Sequence, residues 1–170
     1  YDPWLHGVRS VERLREACDK AGAELAAVEG NPIDAVGSDQ PPPPLTPVVP
    51  HELRFAGRAS ADKRQDLAEK LTAIDTVAVV LTQPDSIAWL LNVRGNDVAH
   101  TPLPLSFAIL NADATVDWFV DPAKVSDDLA AHLGSGGSRH APDALGTALD
   151  KLGKAKSRVQ ACPDTAPSWV

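Results

Sequence analysis

Residues 37–52, GSDQPPPPLTPVVPHE, hold six of the 15 prolines, and nothing else in the chain limits its architecture as much. Proline fixes φ and removes a backbone donor, so this run cannot join the interior of a sheet or a helix. It favours an extended, stiff conformation. A single core running straight through is thereby excluded. The expected organisation is a partial first unit over 1–36, a linker over 37–52 and a second unit beginning at Leu53 and running to 170. Proline-rich segments also serve as ligands for partner domains, but a spacer is the plainer reading here.

On either side of the linker the patterning is of mixed α/β type. Val11, Leu14, Cys18 and Ala21 share one face of a helix expected over Ser10–Ala21, with Ser10 as cap and Gly22 as stop. Ala23–Val28 reads as a strand. In the second unit, Ser60 is expected to cap a helix to Ala73 carrying Arg64, Leu67, Leu71 and Ile74 near one face. Thr76–Thr82 is a β-branched apolar run suited to a central buried strand. Pro84-Asp85-Ser86 opens a short helix through Trp89 and Leu91, and Asn92–Pro104 reads as a polar loop. Leu105–Leu110 and Thr115–Val120 flank a hairpin turn. Ser126 caps a helix to Leu133, Ser135–Ser138 is a flexible glycine-rich loop, Asp143 starts another helix, and Arg158–Cys162 is a last strand. This order implies a mixed sheet flanked by helices.

Several functions are disfavoured at this level. The net charge is −7 and the basic residues are dispersed, which argues against nucleic acid and against an anionic membrane surface. No apolar run approaches the roughly 18 residues that span a bilayer. The two cysteines, Cys18 and Cys162, are expected to be reduced and unlinked, which points to the cytoplasm. The five histidines form no HExxH pair and there is no CxxC, so no metal site is expected. No GxSxG elbow is present, and Gly134–Ser138 follows a helix rather than leading into one, unlike a phosphate cradle. No catalytic residue is therefore assigned. The starting Tyr1 and the absence of Met are read as signs of a fragment or a processed chain.

One segment stands apart. In SIAWLLNVRGNDVAHTP (residues 86–102) an aromatic helix leads directly into Arg94, Gly95, Asp97 and His100. An Arg94–Asp97 ion pair shaping the loop is one expectation. Projection of Arg94, Asp97 and His100 toward substrate or a partner surface is the other.

PDSIAWLLNVRGNDVAHTPLPLSFAIL, residues 84–110, resembles the middle domain of the three-domain Xaa-Pro aminopeptidases (aminopeptidase P). YDPWLH and AAVEGNPIDAV look like the end of their first domain. The resemblance implies a creatinase/prolidase N-terminal-type, ribonuclease H-like α/β fold. It implies a parent hydrolase whose C-terminal pita-bread domain, absent here, holds two divalent metals, usually manganese. That enzyme would remove the residue ahead of a proline at the second position of a peptide. This chain would be inactive alone and would shape substrate access and dimer contacts. Its partners would be its own catalytic domain and a second subunit. The alternatives are a free-standing binding or oligomerisation module, or the equivalent region of an Xaa-Pro dipeptidase or a creatinase.

Overall fold

Helix α1 (Val8–Lys20) forms where the amphipathic pattern lies, but it starts two residues early. Its cap is Gly7 in extended conformation, with no side-chain hydrogen bond, so Ser10 is not the cap. Gly7 bridges to Pro167, and a Cβ there would stand 2.7 Å from the Asp164 carbonyl oxygen, which excludes larger residues. Residues 23–28 form no strand. The Tyr1 α-amino group donates to the Ala26 carbonyl (2.7 Å), the Val28 N–H donates to the Tyr1 carbonyl (2.9 Å), and the Ala23 N–H donates back to the Cys18 carbonyl at the end of α1 (2.9 Å). A short helix α2 (Pro32–Val36) follows, with Asn31 Oδ1 accepting from the Ile33 N–H.

The computed structural model describes residues 1–170 and divides into two compact units. The first joins Tyr1–Pro43 to Cys162–Val170; the second is Pro44–Ala161. Residues 162–170, read from sequence as part of the second unit, thus pack in the first. There Arg9 pairs with Asp164 at 2.8 Å and Trp4 stacks on Trp169 with ring centroids 4.0 Å apart.

The second unit is a mixed α/β domain. Its main sheet has strands β2 (Ala78–Leu81), β4 (Phe107–Asn111), β5 (Val116–Phe119), β6 (Gly137–His140) and β7 (Val159–Gln160), in the order β6-β5-β4-β2-β7. The β2–β4 and β4–β5 pairs are antiparallel; β5–β6 and β2–β7 are parallel. The apolar run expected as the central strand is interior, but β4 takes the middle place. The segment expected as a flexible loop at 135–138 leads into β6. That edge strand has no apolar alternation because it is paired on one side only.

Helices α4 (Ser60–Ala73), α5 (Pro84–Leu91) and α6 (Asp127–Leu133) cover one sheet face. Leu71, Ile87, Leu90, Leu91, Leu129 and Leu133 pack there on Ala108, Leu110, Val116 and Trp118. Because side chains alternate along a strand, Ile109 and Phe119 point to the other face, where they form a cleft with helix α7 (Ala144–Lys154). Ser126 caps α6 as expected, its Oγ accepting from the Leu129 N–H. Ser60 does not cap α4: the N-cap is Ala59, which offers no side-chain bond.

A second, two-stranded sheet crosses the supposed linker. Strand β1 (Val49–Pro50) pairs antiparallel with β3 (Val93–Arg94), so residues 41–50 are not free of sheet structure throughout. The pairing tolerates Pro50 because a two-residue ribbon needs few donors. A one-turn helix α3 (Leu53–Ala56) then leads toward α4. No helix is long and apolar enough to cross a membrane.

Candidate functional site

The segment singled out in the sequence begins on a firmly held base. Helix α5 starts with Pro84 at its first position, where the missing N–H costs nothing. It ends at Asn92, which adopts the left-handed region (φ 52°). Two long-range bonds hold this asparagine: its Nδ2 donates to the Arg58 carbonyl (2.8 Å) and its Oδ1 accepts from Lys63 Nζ (2.7 Å). Lys63, only 3% exposed, also donates to the Trp89 carbonyl at 2.9 Å and lies 4.5 Å from the centroid of the Trp89 ring. A cation thus closes the C-terminal end of α5, where the helix dipole is negative. Burial, and then the nearby Arg94 and Arg58 charges, lower the Lys63 pKa from its usual 10.5.

Arg94 turns back onto the same helix end. One guanidinium nitrogen donates to the Val93 carbonyl at 2.8 Å and, longer, to the Ala88 carbonyl at 3.5 Å. Asp97 does not meet it. The Asp97 side chain is wholly buried, and its Oδ2 accepts from Lys124 Nζ at 2.5 Å and from the Leu105 N–H at 2.6 Å. Lys124 is itself buried and donates further to the Leu105 carbonyl. The expected Arg94–Asp97 pair is therefore replaced by an Asp97–Lys124 pair. The reason is topological: the turn after β5 brings an ammonium into the loop, while β3 carries Arg94 toward α5. Asp97 thereby ties residues 95–105 to the body of the unit and cannot itself touch a partner.

The rest of the loop is equally constrained. The Gly95 N–H donates to the Pro102 carbonyl (3.3 Å), and a Cβ on Gly95 would stand 2.8 Å from the Pro104 nitrogen. Val98 bridges to Thr101, which puts His100 at the tip of a tight turn with φ 61°. His100 is exposed, and Val98 and Leu105 show 45% and 43% of their surface beside it in sequence. The three candidate residues are thus divided: His100 outward, Arg94 half-buried, Asp97 inside.

Lys63, Asn92 and Lys124 organise this region and were not foreseen. For Lys63 a signal existed, since it stands four and eight residues before Leu67 and Leu71 on the apolar stripe of α4. Lys124 had no comparable signal. Elsewhere in the unit, the cleft beneath α7 holds a polar chain in which Asp117 accepts from Asn111 Nδ2 (3.1 Å) and pairs with His140 Nε2 (2.8 Å). Asn111 Nδ2 also donates to the Thr115 hydroxyl (3.1 Å), which is itself tied to Asp113 Oδ1 in the turn (2.6 Å). No group of three or more His, Cys, Asp or Glu side chains converges as metal ligands would, so the residues present do not fit a metal centre. Both cysteines are free.

Residues 39–170 match the family described as the creatinase/prolidase N-terminal domain. The chain is 36% identical over 136 residues to Aminopeptidase P1 of Lotus japonicus, covering 80% of this chain and 20% of that protein. It is 37% identical over 134 residues to "Probable Xaa-Pro aminopeptidase P" of Aspergillus niger, covering 78% and 22%. Among solved structures it resembles the X-prolyl aminopeptidase of Caenorhabditis elegans, described as a cytosolic enzyme with a di-nuclear active site. That likeness has a TM-score of 0.86 at 26% identity and covers 98% of this chain and 28% of the other. The chain thus spans about a fifth of the length of the curated relatives it matches.

Proposed function

The chain belongs to the creatinase/prolidase N-terminal domain family, and from that premise we propose that it is the non-catalytic N-terminal region of a metal-dependent Xaa-Pro aminopeptidase. The observation that carries this reading is the fit of nearly the whole chain onto part of a longer X-prolyl aminopeptidase. In this reading residues 1–43 with 162–170 close a first α/β domain and residues 44–161 form the second. The parent removes an N-terminal residue ahead of proline. A pair of divalent ions, manganese on this reading, belongs to the catalytic domain, where metal ions lower the pKa of bound water and polarise a carbonyl. No step is assigned to this chain's own residues. The parent is placed in the cytoplasm and acts as a homodimer.

The part played by this chain is to present the 95–105 loop. A turn fastened inside by Asp97–Lys124 and at its base by Gly95 holds its tip in a fixed position, which is how rigid scaffolds offer contacts. His100 at the tip and Arg94 at the base are the residues proposed to meet the catalytic domain, a second subunit or the peptide.

The test has two arms. The 170-residue chain alone, supplied with manganese, is expected to release no residue from an Xaa-Pro peptide. Turnover that survives repurification would overturn the assignment of catalysis to another domain. In the parent enzyme, a substrate contact predicts that Arg94→Ala raises KM with little change in kcat. A subunit contact predicts dissociation at higher protein concentration, with activity lost in step. If Arg94→Ala and His100→Ala leave kinetics and assembly unchanged, the loop is scaffolding.

A further inference from the structure

We draw no further inference here: the strongest candidate, the cleft between helix α7 and the sheet face that carries Ile109 and Phe119, with its His140–Asp117 pair, carries nothing because nothing in the structure shows what covers it.

Discussion

Asp97 and Lys124 are both inside the protein, and this decides how substitutions there behave. Removing either partner strands a charge in a poor solvent, so Asp97→Ala and Lys124→Ala should each cost about 3–5 kcal/mol in urea unfolding. The double variant should fall short of the summed singles by about 0.5–3 kcal/mol, the mark of a direct contact. Lys63 is held differently, by neutral acceptors and an aromatic face. Lys63→Met leaves two acceptors bare and should cost about 1–3 kcal/mol. Because its folded pKa is lowered, the folded chain binds fewer protons than the unfolded one between that value and 10.5. Its burial penalty is therefore complete below the folded value and fades as pH rises toward 10.5. The stability difference between the unaltered chain and Lys63→Met should accordingly widen on raising pH from neutrality to that range. Sequence spacing could suggest an Arg94–Asp97 pair because the two lie three residues apart. It could not show that a lysine 27 positions after Asp97 returns to the same point, since that depends on the turn after β5.

At the level of elements, the loop that follows β3 is closed by contact between backbones. Gly95 lies so near Pro104 that Gly95→Ala must push the two strands of the loop apart. The expected cost is about 1–3 kcal/mol, read as a lower melting temperature together with faster amide exchange at Leu105. Helices α4 to α7 and the β4–β5 hairpin were legible beforehand because each buries one face and so carries a period of 3.6 or 2. Strand β6 was not. Gly137-Ser138-Arg139-His140 is paired on one side and mostly solvated, so nothing in its composition separates it from a loop. Ala23–Val28 misled in the opposite sense: its β-branched and apolar residues suit a strand, yet no neighbouring strand pairs with it. Strand β1 escaped notice because proline argues against sheet pairing, and a two-residue ribbon is too small for that argument to bind.

On the scale of the molecule, the first compact unit is built from both ends of the chain and the second from the middle. Deleting residues 162–170 removes the Arg9–Asp164 pair, the Gly7–Pro167 bridge and the Trp4–Trp169 stack together. Hydrogen exchange should then show α1 losing protection while the amides of β4 and β5 keep theirs. The reverse pattern, or loss in both, would show that the two units do not hold their structure separately. This division was legible in part. The prolines mark where the middle unit begins, but no residue type announces that the chain returns to the first unit at Cys162. The return also sets an order of events during synthesis. Residues 1–43 leave the ribosome before residues 162–170 that complete their unit, a wait of roughly 6–24 s at about 5–20 residues per second. The middle unit can form its sheet during that interval. Residues 1–43 are thus made before the middle unit and completed after it.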